Sequence, residues 1–104
     1  MLRHALVLPA LLLATGAAAQ GDPLRGADFA RRNCGECHAT GATGAGAAPR
    51  APAFRDLHRR YPVEQLAEAL AEGIVTGHRG MPAFELTTSQ IDDLIAYLRS
   101  LEQR

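Results

Sequence analysis

The sequence predicts an all-α domain built from about three main helices. Three observations carry this. Ile91, Leu94, Ile95, Leu98 and Leu101 mark one apolar stripe at helical spacing, and Val63, Leu66, Ala67 and Leu70 mark another. No stretch of the chain alternates apolar and polar residues as a half-buried strand would, and there is no internal repeat.

The first helix is expected to open at Asp22-Pro23, with Asp22 as cap and Pro23 at the first helical position. It should run to about Arg32. Leu24, Ala27 and Ala30 can share a face, with Phe29 nearby. Gly26 costs roughly 1 kcal/mol against alanine in a helix interior, and is tolerable where another helix approaches closely. Residues 39–53, ATGATGAGAAPRAPA, are small residues, glycine and proline, and read as a loop inside one domain. After it, Phe54 and Leu57 can tuck inward. Pro62 starts the second helix, VEQLAEALAEG, whose Glu64, Glu68 and Glu72 form a solvated face and whose end is set at Gly73. The third helix carries a capping box, Thr87 with Gln90, and a hydrophobic staple, Leu86 with Ile91. Asp92 and Asp93 are placed in its first turn and Arg99 in its last, as the helix dipole prefers.

Ahead of these elements lies MLRHALVLPALLLATGAAAQ. Arg3 and His4 give a short positive start, Ala5 to Ala14 an uncharged apolar run, and Ala17-Ala18-Ala19 a small-residue cleavage site. The run is shorter than the roughly 20 residues that span a bilayer. Residues 1–19 are therefore expected to be a cleaved secretory signal, with residues 20–104 as the mature domain. No cysteine follows the cleavage site to take a lipid, and no stable membrane insertion is expected after cleavage.

The chain has 104 residues, 11 basic and 11 acidic, for a formal net charge of zero. Without Arg3 the formal charge is −1, every basic residue is arginine, and the basic excess that nucleic-acid binding demands is missing. Arg50, Arg55, Arg59 and Arg60 cluster locally and read as a solvated face; a docking patch for an acidic partner is the other reading. Tyrosine and phenylalanine together number five and tryptophan is absent, so a core this small leaves room for a cofactor at its centre.

CGECH, residues 34–38, admits three chemistries. A thiol–disulfide motif is expected beside a βαβ pattern, which is missing here, and a Cys34–Cys37 bridge would close a very small loop. A structural zinc site wants four ligands; His58 or His78 could add to Cys34, Cys37 and His38, but there is no second cysteine pair. The third is covalent haem c, for which C-x-x-C-H is the attachment pattern. A helical turn spaces Cys34 and Cys37 for two haem vinyl groups and carries His38 beneath the iron. The export signal favours this reading. For the second axial position, Met81 lies in GHRGMPAF, residues 77–84, where Gly80 and Pro82 make a turn. A thioether ligand stabilises ferrous iron and raises the potential. His78 is the rival ligand, otherwise a surface or loop residue, and His58 is read as exposed.

These residues resemble the small soluble class I c-type cytochromes of bacteria over essentially the whole mature chain. CGECH is similar to that family's haem motif, GMPAF to its methionine-ligand loop, and IDDLIAYLRSL to its C-terminal helix, with Tyr97 as the aromatic. The resemblance implies the cytochrome c fold around one haem c held through Cys34 and Cys37, with His38 and Met81 as iron ligands. It implies that the first and last helices cross closely at Gly26 and Phe29. It also implies that the carbonyl of Pro52, with Pro49 as the alternative, accepts a hydrogen bond from His38. Arg55, Tyr61 and Arg79 are candidates for holding the haem propionates. The lysine ring through which mitochondrial-type members dock is missing.

The function so implied is a periplasmic one-electron carrier, not an enzyme, cycling Fe(III) and Fe(II) between redox protein partners such as a periplasmic dehydrogenase or a terminal oxidase. The alternatives are a dedicated haem subunit of such a dehydrogenase, or a gas-binding sensor if Met81 does not ligate.

Overall fold

The computed structural model describes residues 2–11, 21–73 and 80–102. Among them lie three α-helices: α1, Pro23–Cys34; α2, Leu66–Glu72; and α3, Thr88–Glu102. Two 3₁₀ segments, Phe54–Arg59 and Val63–Gln65, connect α1 to α2, and no strand occurs among the described residues. The all-α expectation holds. Residues 2–11 are irregular, and Leu2, Leu6, Val7, Leu8 and Leu11 are exposed rather than packed on the domain. No described helix is long and apolar enough to cross a membrane.

Helix α1 starts where its cap predicts. The Asp22 carboxylate accepts from the Leu24 N–H at 2.8 Å, and Pro23 needs no partner for a missing N–H. The helix runs two residues past Arg32 and so ends on Cys34. Its buried face is Gly26 and Ala30, with Phe29 half-buried; Leu24 is 79% exposed, against the expected face. The reason is the crossing with α3, which turns Gly26 inward. A Cβ built on Gly26 would lie 2.0 Å from the Asp93 carbonyl oxygen and 2.8 Å from Tyr97 Cβ. Leu24 lies two residues, about 200° of helical turn, away from that face.

The second predicted helix is split. Its first turn, Val63–Gln65, is 3₁₀, with Gln65 N–H donating to the Pro62 carbonyl at 3.0 Å. No side chain caps this start, so the chain satisfies its N–H groups by tightening the turn. Val63 and Leu70 are buried as the apolar stripe requires, and the α-helical part ends before Gly73.

The capping box of α3 forms in both directions: Gln90 N–H donates to Thr87 Oγ1 at 3.2 Å, and Thr87 N–H to Gln90 Oε1 at 3.0 Å. Leu86 and Ile91 of the staple are both buried. Ile91, Leu94, Leu98 and Leu101 fill the core beside Ala30, Phe54, Leu57, Val63 and Leu70, and Ile95 packs against it half-buried. Arg99 instead pairs with Glu64 at 2.6 Å on the surface, a contact of small energetic weight.

Asp92 and Asp93 fall in the second turn of α3 rather than its first, because the helix begins at Thr88. Asp93 is buried and ties the two long helices together. Its carboxylate accepts from Arg25 Nε at 3.0 Å and from the Asp22 N–H at 2.7 Å. The Arg25 hydrogen bond first, then the Asp22 N–H, hold the Asp93 carboxyl below the ordinary carboxylate range. A group whose pKa is lower folded than unfolded adds stability above its unfolded value, about 3.9, and loses it as the pH falls through the folded value. Denaturant midpoints taken between pH 6 and pH 3 should therefore fall less steeply for Asp93→Asn than for the wild type. An equal fall would leave Asp93 without a part in acid unfolding.

Candidate functional site

The CGECH segment is the continuation of α1 by one turn. The carbonyl of Cys34 accepts the N–H of Cys37 at 3.3 Å and of His38 at 3.0 Å. Three residues are close to one helical turn of about 3.6 residues, so the two thiols stand on the same side. Both cysteines are free thiols. Cys34 is half-buried and its burial pushes the thiol pKa up, while Cys37 is exposed.

The loop after the motif is folded back onto it. Ala48 N–H donates to the Cys37 carbonyl at 3.2 Å, Phe54 N–H to the Ala39 carbonyl at 2.9 Å, and the Tyr97 hydroxyl of α3 to the Thr40 carbonyl. Residues 39–53 are thus a strap across the motif. The strap brings the Pro52 carbonyl 2.8 Å from His38 Nδ1. A carbonyl can only accept, so Nδ1 carries the proton and Nε2 keeps its lone pair for a metal. Phe54 packs against the imidazole, with ring centroids 5.0 Å apart and planes tilted by 47°.

His38, Pro52 and Cys34 share one apolar cavity of about 280 Å³ with Met81. Its walls come from every helix: Phe29 of α1, Leu66 and Leu70 of α2, Leu94 and Leu98 of α3. Met81 is half-buried and packs against the core; Gly80 before it has φ +92°, a conformation that glycine adopts without strain. The next anchor is Leu86 N–H, which donates to the Leu70 carbonyl at 3.1 Å. Cys37 does not line the cavity and stands outside it.

His78 and Arg79 lie outside the described residues. His58 is half-buried rather than exposed, with Nδ1 buried and unpartnered. Arg50, Arg59 and Arg60 are exposed, as a solvated face requires, while Arg50, Arg60 and Tyr61 also border the cavity. Nothing in the sequence marks Arg50 and Arg60 as wall residues. Among the described residues no three His, Cys, Asp or Glu side chains converge as a metal cluster.

The donor set fits a haem. An imidazole nitrogen with a fixed tautomer and a thioether sulfur border one apolar cavity, the ligand chemistry iron porphyrins take. Fold and motif together define the class: a small all-α protein that carries covalent haem c. The comparisons agree. The cytochrome c family profile matches residues 24–102. The chain is 32% identical over 100 residues to cytochrome c-552 of Bradyrhizobium diazoefficiens, covering 96% of this chain and 94% of that one. No solved structure matches. The chain belongs to the cytochrome c family, whose members bind haem c through cysteine, and it is a haem-based electron carrier.

Proposed function

We propose that the protein is an exported one-electron carrier of the periplasm whose single haem c is tethered by Cys34 and Cys37 and ligated by His38 and Met81. The observation that carries this is the shared cavity: His38 and Met81 border the same apolar space, with Cys34 in its wall. Bound there, haem c supplies an iron that cycles between Fe(III) and Fe(II).

The chain's residues do the rest. Pro52 holds the proton on His38 Nδ1, which fixes the ring and makes its other nitrogen a better donor. Met81 would supply the second protein ligand to the iron, which would leave it no site for a substrate. The leucines and phenylalanines of the wall exclude water, and a low dielectric favours the less charged ferrous centre. Cys37, exposed and outside the cavity, would tether the haem on the surface side of the site, where a partner protein can approach. Residues 1–19 act as the export signal and residues 20–104 as the mature domain; the unpacked leucines of residues 2–11 support this division. The partners are redox proteins on the donor and acceptor sides.

The test is a visible spectrum, oxidised and reduced, of protein matured with the haem-attachment machinery, repeated after acid–acetone extraction. Haem that stays with the polypeptide, with an iron–sulfur charge-transfer band in the oxidised form, is the expected result. Haem without that band removes Met81 from the ligand set, and no haem removes the function.

A further inference from the structure

The strap of residues 39–53 keeps the Pro52 carbonyl on His38, yet its own side chains give it little to hold with. ATGATGAGAAPRAPA has no large apolar residue and forms no helix or strand. Backbone of this composition loses much entropy on ordering and stays in place only through contacts that other segments supply. Its bonds to the motif, Ala48 N–H to the Cys37 carbonyl at 3.2 Å and Phe54 N–H to the Ala39 carbonyl at 2.9 Å, close the segment 37–54 on itself. At the far end Phe54 is buried beside His38 and anchors the chain in the core. At the near end Ala39-Thr40-Gly41 offers no side chain large enough for that.

Tyr97 comes to this near end from α3. A Cβ on Gly26 would lie 2.8 Å from Tyr97 Cβ, which puts the tyrosine at the crossing of α1 and α3. Its ring packs half-buried against the core, and its hydroxyl donates to the Thr40 carbonyl, 57 positions away in sequence and two residues after His38. A rigid helix thus holds the strap where the strap cannot hold itself. Gly46 gives the second observation. A Cβ there would lie 2.3 Å from the Cys37 carbonyl oxygen, 2.8 Å from the Ala39 nitrogen and 2.9 Å from the His38 carbonyl carbon. The strap lies flat on the backbone that carries the imidazole, at a separation that a side chain would forbid. The arrangement has little slack. Moving the strap by more than about 0.5 Å takes the 2.8 Å His38–Pro52 contact past the roughly 3.2 Å limit of an N–H···O bond.

We propose that Tyr97, together with Gly46, is a positioning residue for His38: the phenol hydroxyl pins the strap onto the motif and so keeps the Pro52 carbonyl on Nδ1. This rests on the reading that His38 ligates haem iron. Neither Tyr97 nor Gly46 lines the cavity, so both act through the strap. The ring of Tyr97 fills the helix crossing, and phenylalanine would fill it as well; the hydroxyl has a separate task that phenylalanine lacks. With the Pro52 bond made, the imidazole is the stronger donor and favours Fe(III); with the bond loosened it donates less and the potential rises.

The experiment uses haem-loaded protein and the variants Tyr97→Phe, Gly46→Ala and Ile91→Val. Ile91 is a buried residue of α3 outside the cavity wall, so Ile91→Val loses stability without touching the strap. Two quantities are read at fixed pH and salt: the rate at which the His38 Nδ1 proton exchanges with solvent, by NMR of the ferrous protein, and the midpoint potential. Tyr97→Phe is expected to speed the exchange about tenfold, the factor that one hydrogen bond of ordinary net strength adds to keeping a segment closed. It is also expected to raise the potential. General loosening of the fold would instead admit water to the cavity and lower the potential, so the sign separates positioning from structure. Gly46→Ala should act in the same direction and more strongly, and Ile91→Val should leave both readings at their wild-type values. Wild-type exchange in Tyr97→Phe, a lowered potential, or equal acceleration in Ile91→Val would overturn the proposal. Should Gly46→Ala fail to take up haem, Tyr97→Phe decides alone, since it removes one oxygen and keeps the ring. A wild-type chain that binds no haem through His38 strikes instead at the proposed function, which keeps the two failures apart.

Discussion

Met81→Ala is expected to lower the midpoint potential by on the order of 100 mV, within the roughly 0.8 V that axial ligands span across haem proteins, and to erase the iron–sulfur charge-transfer band. The chain has two methionines, and Met1 lies at the other end of the sequence. Met81 packs against the core and borders the cavity that His38 borders. Its backbone is held between Gly80, at φ +92°, and Pro82, whose ring fixes its own φ. Such a position defines where the sulfur can go. A thioether accepts electron density and favours Fe(II); removing it favours Fe(III) and lowers the potential. Alanine also opens a position on the iron, so added imidazole should bind the variant and leave the wild type unchanged. A variant with low potential that resists imidazole would identify a substitute ligand such as His78. A variant with the band and potential intact would show that Met81 is core filler.

What could be read from the sequence here was mostly local. The capping box of α3, the Asp22-Pro23 start of α1 and the helical turn of CGECH each depend on residues within four positions of one another. Their chemistry is written in order along the chain, and the structure reproduces them. What could not be read depends on contacts between distant segments. Leu24 matched the apolar spacing of α1 and is nevertheless exposed, because the face of that helix is chosen by α3, not by its own pattern. Asp93 sits beside an apolar stripe and reads as a dipole residue until Arg25, 68 positions away, is brought to it. The position of the Pro52 carbonyl, 14 residues from His38, came from the family resemblance rather than from spacing. The arginines of residues 50–60 look alike in sequence, yet only Arg59 has an ion pair.

Gly26→Ala is the substitution on α1 with the largest expected cost to stability. In an isolated helix alanine would gain about 1 kcal/mol over glycine. Here its Cβ would stand 2.0 Å from the backbone oxygen of Asp93, closer than any real contact, and 2.8 Å from Tyr97 Cβ. A backbone oxygen in a helix cannot swing aside as a side-chain end can, so α1 and α3 must move apart. Overpacking of this kind costs typically about 1–3 kcal/mol, and valine, with two more carbons, should cost more. The strain would reach the site, since α1 ends on Cys34 and α3 supplies Leu94 and Leu98 to the cavity wall. The Asp22–Asp93 and Arg25–Asp93 hydrogen bonds cross the same seam and would lengthen with it. Leu24→Ala is the contrast: the pattern along the helix would make it a core truncation, but at 79% exposure it should change stability by less than about 0.5 kcal/mol. Denaturant unfolding of the haem-loaded variants, followed by far-ultraviolet circular dichroism, separates the two. A Gly26→Ala midpoint equal to the wild type's would mean that the helices do not cross this closely, and a Leu24→Ala midpoint well below it would turn α1 back to the face its spacing suggests.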